Sequence, residues 1–356
     1  MKTLIIPCAG KSSRFPNMKP KWLLTHPDGR LMIEKSISGL DLSTFDRVII
    51  TIVRDHDIKY DASVILKQAF KDKIKAELCI LDDFTHNAAQ TIFQTIEIMN
   101  VSGAFVVKDC DNYVEVAQPK DALNYVVFYD IHKHPEISNL PAKSYIRKND
   151  QDIVIDIVEK EIISNFICLG VYAFESVELF KRAYRELSFL NLKGELYLSR
   201  VISYLVNLRN TVFTAVEAKE YEDWGTVREW KKIQKRMTTY FVDLDGVLLL
   251  NRGKYGKENW DNCSIALSEN LMILKKLYDS GAQIVITTSR PDTYRQAVVE
   301  LLKSYGISAH DIVMGLHHAP RVIINDFAVT NPYPSCVAIS LKRDASLVDY
   351  LNCDYL

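Results

Sequence analysis

Near the N-terminus, acidic and basic residues stand where they could bind phosphate groups and a divalent cation. A loop of small residues, 7–15, follows the first apolar run, and its backbone N–H groups could approach a phosphate closely. Arg14 and Lys21 would add the positive charge that a triphosphate requires. Asp109 and Asp111, two residues apart at the end of another apolar run, could hold a hard cation through oxygen ligands. The indicated chemistry is substitution at phosphorus, and a surface turn with solvated charges is the plainer alternative.

A second pair of carboxylates lies far along the chain. Asp243 and Asp245 end an apolar run, and Gly246 permits a tight turn directly after them. Two carboxylates in this arrangement could act as a nucleophile and as an acid–base group toward a phosphate ester. A calcium-binding loop is the main alternative, but the further acidic spacing of such a loop does not follow here.

The elements that must position these residues follow from short apolar runs that alternate with amphipathic segments. Residues 62–71 and 88–99 have a helical pattern between such runs. The alternation predicts an α/β fold with a mainly parallel sheet and helices on its faces. The runs that predict strands in the first part of the chain are 3–7, 47–53, 76–81, 103–108, 124–129, 153–159 and 167–174.

A second alternation begins after the basic, polar stretch 229–236. We therefore predict two domains, residues 1–236 and 237–356, each of an ordinary domain size. The predicted elements of the second domain are strands 239–242, 282–287, 322–325 and 337–340 and helices 268–279 and 293–305.

Composition narrows the classes of function. The chain has 356 residues, 48% hydrophobic and 25% charged, as in an ordinary globular protein. Lys and Arg total 44 against 45 Asp and Glu, so no basic excess points to nucleic acid or a membrane surface. Seven scattered cysteines without a CxxC pair indicate reduced thiols, and no apolar run suits a signal peptide or a spanning helix. We expect a soluble, cytoplasmic protein that acts on small molecules.

The N-terminal loop resembles that of the nucleotidyltransferases that make sugar or polyol nucleotides. Their pattern of a small residue, glycine, arginine and then Pro-Lys is matched by Ala9-Gly10, Arg14 and Pro20-Lys21, with a spacer similar to that of cytidylyltransferases. Ser12 and Ser13 stand where this family often has another glycine. The resemblance implies a Rossmann-like, GT-A-like mixed sheet. It also implies catalytic roles for Arg14 and Lys21.

The resemblance continues in order along residues 1–230 and implies further site residues. Asn87 to Thr91 would face the nucleobase, although a plain helix cap at Asn87 is an equally good interpretation. Asp111 and Asp223, the latter in the segment 221–226, would be the magnesium ligands. The implied nucleotide-binding residues are Ala9, Gly10, Ser12, Ser13, Asn87, Ala89, Gln90, Thr91 and Asp109, and the implied acceptor-binding residues are Glu159, Lys160, Asn165 and Glu195.

Residues 240–247 resemble the first motif of the haloacid dehalogenase (HAD) superfamily of phosphatases. That resemblance implies that Asp243 is the nucleophile and Asp245 the acid and base. The order of the later motifs assigns the phosphate-holding hydroxyl to Thr288, and only Arg321 offers itself for the basic residue of motif three. Asp326 would hold Mg²⁺ together with Asp243 and Asp245. The short spacing of these motifs implies a capless HAD-like domain.

Together the two resemblances predict a bifunctional enzyme with Mg²⁺ at both sites. The first domain would transfer CMP from CTP, or another nucleotidyl group, to a sugar- or polyol-phosphate. The second would hydrolyse a phosphate monoester through an aspartyl-phosphate, and both would suit precursor supply for a capsular or other surface polysaccharide. Two alternatives stay open. One domain is a binding or regulatory module, or the first domain is a GT-A glycosyltransferase.

Overall fold

The computed structural model describes residues 1–71, 73–119, 122–135, 137, 139–190, 194–251, 260, 265–326, 328 and 335–351. The chain divides into two compact units, Met1–Val227 and Arg228–Leu356. The first unit carries a large mixed β-sheet and a small antiparallel one, and the second unit carries a small parallel sheet. Each unit therefore has its own sheet on which a site can be built.

The first unit is an α/β fold with a mixed sheet, as the sequence predicts. Its strands are β1 (Lys2–Pro7), β2 (Arg47–Val53), β3 (Ala76–Leu81), β4 (Ala104–Lys108), β5 (Asn112–Glu115), β6 (Tyr125–Asp130), β7 (Ser144–Lys148), β8 (Val154–Glu159), β9 (Phe166–Phe174), β10 (Thr214–Glu217) and β11 (Glu220–Asp223). The large sheet has the order β10-β6-β9-β4-β1-β2-β3, and β7 pairs with β8 and β9. Strand β9 runs antiparallel to β4 and β6, whereas β1 is parallel to β2 and β4.

All seven strands predicted in this unit are present, with ends that differ by at most one residue. They form because apolar and β-branched runs are buried on both faces: Leu4, Ile5 and Ile6 of the central strand β1 are fully buried. The covering helices of the unit are α1 (Met32–Ile37), α2 (Arg54–Tyr60), α3 (Ala62–Phe70), α4 (Ala88–Ile98), α5 (Val177–Phe189) and α6 (Leu198–Arg209), and α7 (Val227–Arg236) begins at the unit boundary.

The second unit has three parallel strands among its described residues. They are β12 (Thr239–Asp243), β13 (Gln283–Thr287) and β14 (Asp311–Val313), hydrogen-bonded in the order β12-β13-β14. The helices are α8 (Ser268–Ser280), α9 (Arg295–Ser304) and α10 (Val348–Leu351). Apolar side chains from β13, α8 and α9, including Ile284, Ile286, Leu271 and Leu302, form its core.

The predictions of strands at 322–325 and 337–340 are wrong. Both segments lack strand structure, and the side chains of the first are exposed, with Ile324 at 93%. An apolar, β-branched run forms a strand only where a neighbouring strand and a core cover it. Within the described residues β12 pairs with β13 alone, so nothing there extends the sheet toward residues 322–325.

The structure bears on the expectations about membrane-spanning helices and about reduced cysteines. Across the described ranges, no helix combines the length and the apolar character that crossing a membrane would need. The cysteines within those ranges are free, namely Cys8, Cys79, Cys110, Cys168 and Cys336. Cys263 and Cys353 lie outside the described residues.

Candidate functional site

In the first unit, strand pairing brings the two predicted metal ligands together. Strands β5 and β11 are antiparallel, and their register places Asp223 opposite Asn112. The backbone N–H of Trp224 donates to the carbonyl of Asp111 at 2.9 Å, one step beyond that pair. Residues that are 112 positions apart in sequence thus end on adjacent strands, each beside the other's backbone.

Gly225 leaves a cradle between these carboxylates. A Cβ on Gly225 would lie 3.1 Å from Asp223 Oδ1 and 3.3 Å from Asp111 Oδ2. Both oxygens therefore lie close to one position beside Gly225, which any larger side chain there would fill. Carboxylate oxygens are the ligands that Mg²⁺ prefers, and the ion takes one or two of them alongside phosphate oxygens and waters. The residues present fit a magnesium ion held together with a nucleotide.

Three cations surround the cradle. Lys21 Nζ lies 2.5 Å from Asp111 Oδ2, and Arg14 is 3.6 Å from the same oxygen. Lys143 donates a hydrogen bond to Asp223 Oδ2 and another to the hydroxyl of Tyr221 at 2.8 Å. The sequence analysis did not find Lys143, because it lies in a turn before β7 with no motif around it.

The charges of this cluster set the protonation of its carboxylates. Burial opposes the ionisation of Asp111, but Lys21 and Arg14 outweigh it and hold the pKa of Asp111 well below its usual range. Burial, together with the nearby charge of Asp111, raises the pKa of Asp109 to about 6. Asp111 is therefore a permanent anion at neutral pH, as a metal ligand must be.

Asp109 lies behind Asp111, against the backbone of β9. A Cβ on Gly170, whose φ is +69°, would lie 2.2 Å from Asp109 Oδ2, so only glycine fits at that position. The backbone N–H of Asp109 donates to the carbonyl of Gly170 at 2.8 Å. This packing directs Asp109 into the protein, and Asp111 remains the carboxylate that borders the cradle.

Lys108 holds the loop that carries these aspartates. It is fully buried, and its ammonium donates to the carbonyl of Asp109 at 2.6 Å, the carbonyl of Asn112 at 3.0 Å and Asn112 Oδ1 at 2.5 Å. Burial lowers the pKa of Lys108 to about 8, which leaves the ammonium protonated at neutral pH. The three bonds close the loop from Asp109 to Asn112. Sequence reasoning took Lys108 only as the end of a strand.

The predicted phosphate loop follows β1 directly. Ser12 has a φ of 51°, in the left-handed region that favours glycine. Its Oγ accepts a hydrogen bond from the backbone N–H of Lys21 at 3.4 Å. Ala9 is buried and its carbonyl accepts from the N–H of Thr85. A Cβ on Gly10 would meet nothing within 4 Å, and Ser13 is exposed. The space beside Gly10 is thus unfilled, and the side chain of Ser12 connects the loop to the backbone of Lys21.

The residues predicted to face the nucleobase mainly cap helix α4. Asn87 Oδ1 accepts from the N–H of Gln90 at 2.8 Å, and Gln90 Oε1 accepts from the N–H of His86 at 2.8 Å. The hydroxyl of Thr91 pairs with that of Thr85, and Ala89 is fully buried. The alternative of a helix cap at Asn87 is therefore present in the structure. Base contact by these residues stays a prediction.

Three of the four predicted acceptor residues, Glu159, Lys160 and Glu195, lie near the start of α6. Glu159 accepts hydrogen bonds from the hydroxyls of Ser144 and Ser199, the latter at 2.7 Å. Lys160 donates to the hydroxyl of Tyr197. The other two predicted residues have backbone contacts: the carbonyl of Asn165 accepts from the N–H of Ile131, and that of Glu195 accepts from the N–H of Tyr197. Their contact with an acceptor stays a prediction.

In the second unit, Asp243 is the last residue of strand β12, Asp245 follows two residues later, and each faces an arginine. Arg290, only 1% exposed, forms a two-pronged ion pair with Asp245, from Nε to Oδ2 at 2.9 Å and from a terminal nitrogen to Oδ1 at 2.6 Å. Arg321 lies 3.7 Å from Asp243 Oδ1, and both of these side chains are about two-fifths exposed or more. Burial raises the pKa of Asp243, and the charge of Arg321 opposes that shift.

The remaining predicted residues of this unit are less clearly assembled. Thr288 is buried, and its Oγ1 accepts from the backbone N–H of Arg290 at 3.1 Å. Asp326 contacts its own loop: its N–H donates to Asn325 Oδ1, and its carbonyl accepts from the hydroxyl of Ser335. The hydrogen bonds and ion pairs of the described residues include none between Asp326 and Asp243. The sequence analysis did not predict the ion pair of Arg290 with Asp245. The signal that could have indicated it was the position of Arg290 in the triplet Thr288-Ser289-Arg290, directly after a strand.

Among the described residues, neither pair of aspartates belongs to a larger cluster of metal-binding side chains. Within the part of the chain that the structure describes, no group of three or more His, Cys, Asp or Glu side chains could hold a metal ion. A metal at either site would therefore need ligand oxygens from a substrate or water in addition to the aspartates.

Comparison with known proteins gives structural likeness without sequence likeness. No protein-family model matches the chain, and no curated protein sequence is similar to it. Among solved structures, the nucleoside-diphosphate-sugar pyrophosphorylase of Vibrio cholerae RC9 superposes with a TM-score of 0.56 at 21% identity, over 65% of this chain and 98% of that one. The inositol-1-phosphate CTP transferase of T. maritima superposes with a TM-score of 0.52 at 12% identity, over 66% and 96%.

These matches show that the chain has the fold of sugar-phosphate nucleotidyltransferases. Each match covers more residues than the second unit contains, so each must include part of the first unit. At identities this low the likeness establishes the fold alone. The activity has to be argued from the site.

Proposed function

We propose that the first unit transfers a nucleotidyl group from a nucleoside triphosphate to a sugar- or polyol-phosphate and releases pyrophosphate. The observation that carries this proposal is the convergence of Asp111 and Asp223 on the cradle at Gly225, with Lys21, Arg14 and Lys143 around it. Two carboxylates beside three cations suit a triphosphate and a metal ion far better than they suit a neutral ligand. The fold shared with nucleotidyltransferases supports the same conclusion.

In the proposed reaction, a phosphate oxygen of the acceptor attacks the α-phosphorus in line as pyrophosphate leaves. Asp111 and Asp223 would hold Mg²⁺, which supplies charge neutralisation at the phosphate oxygens when bound. Arg14 and Lys21 would neutralise the negative charge that develops on the leaving pyrophosphate. Lys143 would face the incoming phosphate from the Asp223 side of the cradle. No covalent intermediate with the protein is needed, because positioning and charge neutralisation suffice.

The nucleotide is proposed to be CTP. The support is the spacing of Arg14 to Pro20-Lys21, which resembles that of cytidylyltransferases, and the structural likeness to an enzyme that is itself a CTP transferase. The product would be a nucleotide-activated sugar or polyol, and supply of surface-polysaccharide precursors is the role that we propose for it.

The test is a screen of the four nucleoside triphosphates against a library of sugar- and polyol-phosphates, read by mass spectrometry. We expect pyrophosphate and a nucleotide-linked product, with CTP as the preferred donor. Release of a nucleoside diphosphate from a nucleotide-sugar donor would instead identify a GT-A glycosyltransferase. The pairing of Lys21 and Arg14 with Asp111 favours the first outcome, since these cations suit pyrophosphate as the leaving group.

For the second unit we propose hydrolysis of a phosphate monoester by Asp243. The favouring observation is that Asp243 stands at the open end of β12 with its carboxylate half exposed and Arg321 3.7 Å away, where a phosphate could bind between them. Asp243 would attack phosphorus as the bond to the ester oxygen breaks, and the leaving alkoxide would take a proton from water. A second water would then hydrolyse the aspartyl-phosphate, which releases phosphate and restores the Asp243 carboxylate.

The ion pair with Arg290 bears on the role of Asp245. Both oxygens of Asp245 accept hydrogen bonds from Arg290, so Asp245 would have to leave this partner to exchange a proton with a substrate or water. Phosphate release from a panel of sugar phosphates, compared between wild type and Asp243→Asn, tests the proposal. If no release depends on Asp243, the second unit is a binding or regulatory module.

A further inference from the structure

Each of the two carboxylates that border the cradle already has a lysine as its partner. Lys21 Nζ lies 2.5 Å from Asp111 Oδ2, and Lys143 donates to Asp223 Oδ2. The lysine side chains are only 17% and 12% exposed, so salt and water screen these contacts weakly. In the free protein both carboxylates are therefore neutralised by ammonium groups.

A divalent cation would compete with these ammonium groups for the same two carboxylates: Lys21 contacts the Asp111 oxygen that borders the cradle, and Lys143 contacts the other oxygen of Asp223. A Cβ on Gly225 would lie 3.1 Å from Asp223 Oδ1, 3.3 Å from Asp111 Oδ2 and 3.5 Å from a terminal nitrogen of Arg14, so the guanidinium lies beside the two carboxylates. A metal ion that entered alone would meet Lys21, Lys143 and Arg14 at close range. Like-charge repulsion at such distances in a partly buried site weakens binding substantially. The same ion accompanied by a triphosphate would bring the negative charge that these cations need.

We propose that Lys21 and Lys143 are exchangeable counter-ions that make metal binding depend on the nucleotide. They pair with Asp111 and Asp223 in the free protein, and they turn to phosphate oxygens when a metal ion and a triphosphate enter together. The inference rests on the proposed function of the first unit. It adds that the metal does not bind ahead of the nucleotide.

The surroundings of both lysines permit such an exchange. The backbone of Lys21 is tied by its N–H to Ser12 Oγ, so the flexible side chain can change partner while its Cα stays in place. Lys143 has a second partner in the hydroxyl of Tyr221, at 2.8 Å, and its ammonium lies 5.4 Å from the centre of that ring. An ammonium released from Asp223 would thus remain next to the cradle.

The test measures Mn²⁺ binding to the full chain by electron paramagnetic resonance without any nucleotide. We compare wild type with Lys21→Met and Lys143→Met, and with Lys181→Met as a matched control. Lys181 also pairs with a carboxylate, that of Glu97, and is 18% exposed, but it lies on α5. We expect each cradle variant to bind Mn²⁺ about tenfold more tightly than wild type, because one competing charge is gone. The control should match wild type.

Two further measurements keep the test decisive if a Met variant fails to fold. Lys21→Gln and Lys143→Gln keep a hydrogen bond to the carboxylate without the charge, and should show the same gain in Mn²⁺ affinity. In wild type, saturating CTP should tighten Mn²⁺ binding about tenfold or more after correction for Mn²⁺ bound to free CTP. Equal Mn²⁺ affinity in wild type and all cradle variants, or no effect of CTP on a protein that binds CTP, overturns the inference.

The outcomes separate this inference from the proposed function. CTP binding and turnover are measured on the same wild-type protein. A protein that turns over CTP yet binds Mn²⁺ alone as tightly as its variants do keeps the function and loses the counter-ion role. A protein that shows the variant pattern but neither binds nor uses any triphosphate keeps the pairing of lysines with aspartates and loses the function.

Discussion

The two units each present a pair of aspartates at the end of a strand, but they hold the pair in different ways. In the first unit, Asp111 directly precedes β5 and Asp223 ends β11, the strand that pairs with β5, and their oxygens converge on Gly225. In the second unit, Asp243 ends one strand, β12, and Asp245 follows two residues later. One of them is held by the buried Arg290, and the other is half exposed.

The difference shows what a second strand contributes to a carboxylate site. Backbone pairing of β5 with β11 sets the backbone positions of both aspartates, so these positions depend little on the conformation of a loop. In the second unit, β12 has one described neighbour, and the residues that would complete the site, Arg321 and Asp326, lie in a segment without strand structure. The site of the first unit is therefore preorganised, and that of the second depends on its loops.

The largest effect that we predict comes from removing one of the converging carboxylates. Asp111→Asn or Asp223→Asn should lower the rate of pyrophosphate release about 10³-fold, because the proposed metal ion would lose a charged ligand. Glu115→Gln is the matched control, since Glu115 lies on β5 but pairs with Lys219 instead. Full activity of either aspartate variant would show that this aspartate is not needed for the proposed reaction of the first unit.

The second prediction concerns the buried arginine of the other unit. Arg290→Met should lower the free energy of unfolding of that unit by about 3 kcal/mol, because Asp245 is left as an unpaired, partly buried charge. Lys275→Met, which removes an exposed pair with Asp279, should cost less than about 0.5 kcal/mol. Urea unfolding measures both. Equal losses in the two variants would show that the Arg290 pair does not stabilise this unit.

A smaller effect is expected from the lysine that closes the aspartate loop. Lys108→Met keeps the volume of the side chain but loses three hydrogen bonds to the loop of Asp109 to Asn112. We expect kcat to fall about tenfold with little change in KM, since Asp111 is displaced from the reacting phosphate while the rest of the pocket remains. Steady-state kinetics over a range of metal concentrations, with the folded fraction measured by circular dichroism, distinguishes this from general destabilisation, which lowers the amount of active enzyme without changing the metal dependence.

The smallest predicted effect concerns a histidine beside the phosphate loop. His56 is buried, and its Nδ1 finds no hydrogen-bond partner within the described ranges. Burial lowers its pKa from 6.5, so the unfolded chain binds the proton more readily, and stability is lost as the pH falls below about 6.5. His56→Phe should gain about 1 kcal/mol at pH 7.5 and should weaken the loss between pH 7.5 and 5.5.

Urea midpoints at those two pH values check the His56 prediction. The exposed His310 provides a control, since His310→Gln removes a histidine from the surface and should leave the midpoint at pH 7.5 unchanged. His26 is also buried with a lowered pKa, so part of the pH dependence should survive in His56→Phe. An unchanged pH dependence in His56→Phe would contradict the role given to this side chain.

Local patterns were enough to predict most of the first unit. Apolar runs predicted seven of the eleven strands described in this unit to within one residue, and motif resemblance named Asp111 and Asp223. The strands β5, β7, β10 and β11 were not predicted, because each is a run of four or five residues that includes charged side chains. Lys143 escaped, since its pairing with Asp223 joins positions eighty apart that carry no shared pattern. In the second unit, residues 322–325 look like a strand by composition, but pairing depends on the partner edge, which composition does not encode.

The most direct test of the central claim adds one methyl group. Gly225→Ala places a Cβ 3.1 Å from Asp223 Oδ1 and 3.3 Å from Asp111 Oδ2, at a position whose φ lies outside the left-handed region. Pyrophosphate release is measured with the best substrate pair from the screen, beside the melting temperature. If these carboxylates share a metal with the nucleotide, the variant stays folded and loses about 10²-fold in rate. A folded variant that releases pyrophosphate as fast as wild type would contradict the account.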